Sequence, residues 1–194
     1  MKKGPFLETA RSTVYRTAWL RVEEARVIRP DGTAGLFGLA HVGPGATVVA
    51  LDEDRNVFLV REYKYAVERE TIELISGGID EGETPVEAAV RELHEETGYV
   101  ARQASELGVV EPFTTIVSGR IHLVLAQDLT HRPGEAATED LVEPFRVPFS
   151  EALRMVEEGV ITHAPSCVAI LRTARMIDRG CDGPQYPTVV PCTS

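Results

Sequence analysis

Residues 14–28 run through β-branched and aromatic side chains and end at Arg29-Pro30-Asp31-Gly32, a turn signal. Residues 36–42 read as the return strand of a hairpin. Gly43-Pro44-Gly45 then interrupts the pattern, which marks residues 1–43 as an N-terminal antiparallel β arm. Residues 46–51 and 57–67 are two further apolar runs of strand length. The polar stretch Asp52-Glu53-Asp54-Arg55-Asn56 between them reads as a hairpin loop. Residues 70–75 lead into Ser76-Gly77-Gly78 and a loop.

The period then becomes helical. Thr84 is placed to cap, Pro85 to start, and Glu87 to close a capping box with Thr84. Val86, Ala89, Val90 and Leu93 form a stripe predicted to be buried, and Gly98 is placed as a left-handed cap. Residues 108–112, 121–129 and 141–147 read as strands, with an acidic loop carrying Gly and Pro over 131–139. A helix over 150–158 is predicted to be capped by Ser150 and closed by Gly159, and another helix covers 166–178. The tail, 180–194, is rich in Pro, Gly and Cys and reads as extended. There is no repeat and no regular alternation of strand and helix. The expected class is α+β, a mixed sheet with helices packed on it, with residues 44–179 as one domain.

Composition narrows the partners. At 194 residues, with 43% apolar and 26% charged side chains, the chain suits one soluble domain with a small extension. No apolar run is long enough for a membrane span, and no apolar segment follows the two lysines at the start, so neither a membrane nor a secretory signal is expected. A net charge of −10 argues against a nucleic-acid partner, which needs a basic footprint. It permits a small diphosphate whose charge a metal screens. Cys167, Cys181 and Cys192 are odd in number and widely spaced, which fits neither a disulfide framework nor a zinc site but suits reduced thiols in a cytoplasm.

The chemistry lies in Glu92, Glu95 and Glu96. At about 100° per residue they share one helix face, where like charges cost a few tenths of a kcal/mol per pair. A divalent metal ion would offset that cost. Carboxylates at i, i+3 and i+4 offer oxygens from one rigid element, as the hard cation magnesium prefers. His94, between them in sequence, points elsewhere.

Counting from Gly77 to Glu83 and on to Arg91-Glu92-Leu93-x-Glu95-Glu96-x-Gly98-Tyr99, the segment resembles the Nudix box of the Nudix hydrolases. Tyr99 stands where an aliphatic residue is more usual. The resemblance implies a Nudix-type α/β/α sandwich behind the arm. It implies Mg2+, with Mn2+ able to substitute, on Glu92, Glu96, nearby Glu95 and the backbone carbonyl of Ser76. It also implies an Arg91–Glu83 pair that holds the site in shape. Gly77 and Gly78 let the backbone approach the metal without a Cβ.

Further likeness, over residues 14–178, is to the ADP-ribose pyrophosphatase branch. Arg29-Pro-Asp-Gly, Val60-Arg-Glu-Tyr-Lys64 and Ile72-Glu-Leu-Ile-Ser-Gly-Gly78 carry it, against the branch's Arg-Pro-Asp-Gly, Val-Arg-Gln-Tyr-Arg and Leu-Glu-Leu-Pro-Ala-Gly. That branch splits a nucleoside diphosphate sugar, and ADP-ribose would give AMP and ribose 5-phosphate. It works as a homodimer whose exchanged β arms help form the nucleotide site. The resemblance implies substrate contacts from Lys64, Arg61, Glu73, Gly77 and Gly78, with Trp19, Phe37 or Arg16 added from the arm. The base that activates water is placed at Glu139, with Glu135 or Glu92 as alternatives. Lys64 replaces an arginine and so loses its bidentate fork. Residues 111–119 lack the Ser-Pro-Gly element that goes with ADP-ribose. A GDP- or ADP-hexose, or a dinucleotide, is therefore an alternative substrate. A non-catalytic nucleotide-sugar sensor is a further alternative, which the retained carboxylates disfavour.

Overall fold

The computed structural model describes residues 1–132 and 142–180. In chain order its strands are β1 (Lys2–Lys3), β2 (Phe6–Arg16), β3 (Leu20–Ile28), β4 (Ala34–Val42), β5 (Gly45–Ala50), β6 (Asn56–Lys64), β7 (Arg69–Glu73) and β8 (Ser76–Gly78). After helix α1 (Pro85–Thr97) come β9 (Tyr99–Val110), β10 (Val117–Ser118), β11 (Ile121–His131) and β12 (Val142–Pro148), then helices α2 (Phe149–Glu157) and α3 (Ala164–Asp178). The chain forms two compact units. One holds Met1–Pro44 and Glu111–Arg120, and the other holds Gly45–Val110 and the described residues from Ile121 onward.

The first unit is a sheet in the order β1-β2-β3-β4-β10. The apolar run over 14–28 is two strands and not one. Thr17 Oγ1 accepts hydrogen bonds from the N–H groups of Trp19 and Leu20, at 3.2 and 3.0 Å, and turns the chain without Gly or Pro. The Arg-Pro-Asp-Gly turn forms as expected, with Gly32 at φ +83°. Glu23 is buried on this sheet, and Arg11 (2.6 Å), His41 (2.9 Å) and Arg21 converge on its carboxylate.

The second unit is α+β, as expected. One of its sheets runs β8-β5-β11-β9, with β5 and β11 parallel, and a second runs β12-β6-β7. Every residue of β5 is buried, because both faces of its sheet are covered. Val48, Ala50, Val124 and Ala126 pack with Ala88, Ala89 and Leu93 of α1. The alternate residues Val49, Leu123 and Leu125 pack with Ala152 and Met155 of α2 and with Ala169 and Ile170 of α3. Period-2 alternation along β5 and β11 thus sends successive side chains to helices on opposite sides.

Three local expectations are corrected. The 52–56 loop does not close a hairpin. It joins two sheets, with only the Leu51–Val57 bridge between its flanks. Asp52 Oδ1 accepts from the N–H groups of Asp54 and Asn56, and Arg55 takes φ +59°. Helix α2 starts one residue early, with Pro148 and not Ser150 at its cap position. β9 is twelve residues long, far longer than 108–112, because its ladder with β11 extends back to Tyr99.

Candidate active site

Helix α1 is set by its ends. Thr84 Oγ1 accepts from Glu87 N–H at 3.2 Å, and Glu87 Oε2 accepts from Thr84 N–H at 2.8 Å, which completes the capping box. Gly98 closes the helix at φ +73°, its N–H reaching His94 O at 2.8 Å. Ala88, Ala89 and Leu93 are fully buried and fix the helix rotation. Val86 and Val90, expected in the same stripe, are only half-buried. They line a shallow groove with Ala101 and Ala104 of β9.

That rotation keeps Glu92, Glu95 and Glu96 off the face packed by those three residues, partly buried, with Arg91 beside them. One guanidinium ties the site together. Arg91 Nε and Nη2 donate to Glu83 at 2.9 and 3.1 Å, and Nη2 also donates to Gly78 O at 2.9 Å. Its Nη1 reaches Glu92 Oε1 at 2.8 Å and Glu95 Oε2 at 3.2 Å. The Glu83 hydrogen bond raises the arginine's pKa, and the same contact holds the Glu83 carboxyl low.

Glu92 and Glu96 go the other way. Burial raises the Glu92 pKa against the pull of Arg91. Burial, then the charges of Glu92 and Glu62, push Glu96 up to about 7, with Lys64 pulling weakly down. Glu96 Oε2 is buried without a hydrogen-bond partner. The Glu92 carboxylate lies against the Gly77 backbone so closely that a Cβ there would sit 1.9 Å from Oε1. Among the described residues no three His, Cys, Asp or Glu side chains converge as a ready-made chelate, because Arg91 sits between Glu92 and Glu95. Even so, the donor set fits a hard divalent cation. It offers a buried, unpaired carboxylate oxygen and a second carboxylate resting on the Gly77 backbone, one residue after Ser76.

The remaining expected residues scatter. Ser76 pairs with Thr47 across β8 and β5, and its Oγ donates to Leu74 O at 3.0 Å. Lys64 is bonded to Glu62, and both act on Glu96. Arg61 stands on the opposite face of β6 from Lys64. It reaches Glu143 at 3.4 Å and lies over the Phe145 ring at 5.6 Å, so the structure does not bring Arg61 and Lys64 together. Glu73 is buried and turned toward Thr71 (2.8 Å) and His163 (3.3 Å). In the N-terminal unit, Trp19 is 85% exposed at the β2–β3 turn with Arg16 nearby, and Phe37 packs edge-on against Phe6 at 5.4 Å. Glu135 and Glu139 lie outside the described residues. The sequence reading missed Glu62, which alternation along β6 places on the face of Lys64. It also missed His163 and Ser166, which carry no local signal.

The comparisons agree with this geometry. A family model described as NUDIX domain matches residues 41–166. An ADP-ribose pyrophosphatase of Bacillus subtilis is 29% identical over 153 residues, covering 78% of this chain and 82% of that protein. An ADP-ribose pyrophosphatase of Mycobacterium tuberculosis is 31% identical over 177 residues, covering 88% and 84%. A crystal structure of an ADP compounds hydrolase superposes with a TM-score of 0.82 at 22% identity, covering 93% of this chain and 98% of that one, which speaks for the fold. The chain belongs to the Nudix family, as a pyrophosphohydrolase similar to the ADP-ribose pyrophosphatases.

Proposed function

We propose that the protein hydrolyses the pyrophosphate bond of a nucleoside diphosphate sugar, with ADP-ribose giving AMP and ribose 5-phosphate as the first substrate to test. The observation that carries this is the pair Glu92 and Glu96, burdened by burial and with one oxygen unpaired, inside a Nudix box whose charged and glycine positions are all filled. Nudix hydrolases are generally dependent on divalent metal. Glu92, Glu96, Glu95 and the Ser76 carbonyl would hold Mg2+, or Mn2+ in its place. When bound, the ion supplies charge neutralisation of the diphosphate and acidifies a water.

The chain's own groups do the rest. Arg91 fixes Glu83, Glu92 and the Gly78 carbonyl as one unit, so the carboxylates are held in place before substrate arrives. Lys64 offers a point charge to a phosphate. Water forms the new P–O bond, the bridging oxygen leaves with the electrons of the bond that breaks, and a carboxylate takes the water's proton. Glu139 is our choice for that base, ahead of Glu135 and Glu92, and Gln variants of the three decide it.

Lysine at 64, engaged by Glu62, supports a second reading in which a GDP- or ADP-hexose or a dinucleotide is preferred. The experiment is a panel of nucleoside diphosphate compounds with Mg2+ and product identification. ADP-ribose is expected to release AMP and to stop doing so with a chelator. A panel left wholly intact would falsify the enzyme reading. The homodimer through the N-terminal arm is likewise a proposal, supported by apolar side chains exposed on that unit. Among the described residues no helix is long and apolar enough to cross a membrane.

A further inference from the structure

The Nudix box accounts for the carboxylates of α1. It leaves unexplained a chain of polar side chains buried behind the strand that carries Ser76. His163 Nδ1 lies 2.8 Å from Ser166 Oγ and 3.3 Å from Glu73 Oε2. Ser166 Oγ accepts the Leu74 N–H at 2.9 Å. The Leu74 carbonyl accepts from Ser76 Oγ at 3.0 Å, and Ser76 Oγ lies 2.9 Å from Thr47 Oγ1. Thr47 and Ser166 are wholly buried, and Glu73 is nearly so.

A serine, a histidine and a carboxylate together suggest a nucleophile, but the geometry excludes it. One ring nitrogen faces both partners, whereas a relay needs the acid on one nitrogen and the hydroxyl on the other. Ser166 is 0% exposed, so no substrate carbon or phosphorus reaches its oxygen. The trio has a different use. β7 ends at Glu73 and β8 begins at Ser76, so the Leu74 N–H falls in the gap between two ladders. Buried and unpaired, that group would carry the full desolvation penalty of a lost hydrogen bond. Ser166, reaching from the first turn of α3, satisfies it and pins the chain at that point.

We infer that Ser166, oriented by His163, is a positioning residue for the metal site: by holding Leu74 it sets the path of 74–77, and so the place of the Ser76 carbonyl and of Gly77, which lies against the Glu92 carboxylate. The closeness of Gly77 to the Glu92 carboxylate means that a small shift of this segment disturbs both donors together. This inference rests on the metal-assisted reading proposed above. Loss of a partner bonded directly to a ligand typically weakens metal binding about 10–100-fold, and Ser166 acts one step further out, so the lower end of that range is expected.

The test is Mn2+ binding to the intact chain by calorimetry, without substrate. Ser166→Ala is expected to raise the Mn2+ dissociation constant about tenfold, while Ser166→Thr, which keeps the hydroxyl, stays within about twofold of wild type. At saturating Mn2+ the KM for ADP-ribose should be unchanged in both. A folded Ser166→Ala with a lower Tm but wild-type Mn2+ affinity makes the contact merely structural and overturns the inference. If Ser166→Ala does not fold, His163→Ala decides. It removes a ring that makes no capping bond to α3, and it should weaken Mn2+ by roughly threefold, an unchanged affinity again overturning the idea. Wild-type protein that binds no Mn2+ at all instead removes the metal reading, and this inference with it.

Discussion

Glu96 is a carboxylate that its surroundings burden. One of its oxygens is buried and unpaired, and its pKa stands near 7 because burial and the charges of Glu92 and Glu62 disfavour the anion. A folded-state pKa above the ordinary carboxylate value of 4.5 means the native state binds the extra proton. This group's contribution to stability is therefore greatest below pH 4.5 and declines as pH rises to 7, by up to about 3 kcal/mol. Glu92 shifts in the same direction. His163 works the opposite way. Its pKa is lowered, first by burial and also by Lys64, against Glu73, so it favours the native state as pH rises through its titration. The difference between two proteins that share His163 cancels that opposing effect. In EDTA, Glu96→Gln should melt higher than wild type at pH 8 and gain little at pH 4.5, while turnover with Mg2+ falls by roughly two orders of magnitude or more. Thermal melts across that pH range check the first part. Equal melting at pH 8 would mean the carboxylate is not burdened as described.

At the scale of elements, α1 was legible from sequence because what defines it is local. Its cap, its first-turn proline, its box glutamate and its closing glycine all lie within the helix or next to it. Thr84→Ala removes one side of that box and should cost about 1 kcal/mol, lowering Tm by about 2–4 °C in a domain of this size. Because Leu93, Ala88 and Ala89 still fix the helix rotation, kcat should stay close to wild type. A loss of kcat much larger than the change in stability would show that the cap also places the carboxylates. The elements that were misjudged depend on partners far along the chain. The extent of β9 is set by pairing with β11, and the 52–56 loop is opened by β5 and β6 joining different sheets. Ser166 lies 92 positions from the Leu74 N–H it satisfies, and no spacing rule announces such a contact. Arg91 was half legible. Its pairing with Glu83 could be expected, and helix spacing allows its i,i+4 contact with Glu95, whereas its reach to Glu92 and Gly78 could not.

For the whole molecule, the two units differ in how well they cover apolar surface. The N-terminal unit leaves Leu7, Val14, Tyr15, Trp19, Leu36, Phe113 and Ile116 more than half exposed. Four of these, Leu7, Val14, Tyr15 and Leu36, lie on strands of one small sheet, and exposed apolar surface of that kind supports the interaction surface we propose. Register places part of it on one face. Tyr15 pairs with Val22, Val22 with Ala40, Arg26 with Leu36 and Leu20 with Val42, and cross-strand partners share a side. The opposite side carries buried Glu23, Ala25 and Val27, with the arginines closed onto Glu23. Glu111–Arg120 joins this unit through a parallel pairing of two residues, Val117 with Ala40 and Ser118 with His41, too short to leave a pattern in the sequence. A second copy of the same sheet is the partner we propose, since identical apolar faces are self-complementary across a two-fold axis. Light scattering should then give about twice the chain mass of 21.2 kDa. Tyr15→Asp combined with Leu36→Asp should bring it to the single mass, because two buried like charges per copy would meet across the axis without partners. Mn2+ affinity should survive that change, since every proposed ligand lies in the other unit. A wild-type chain that scatters as a monomer at tens of micromolar would leave the exposed apolar residues to some other partner and would remove the arm from the assembly of the enzyme.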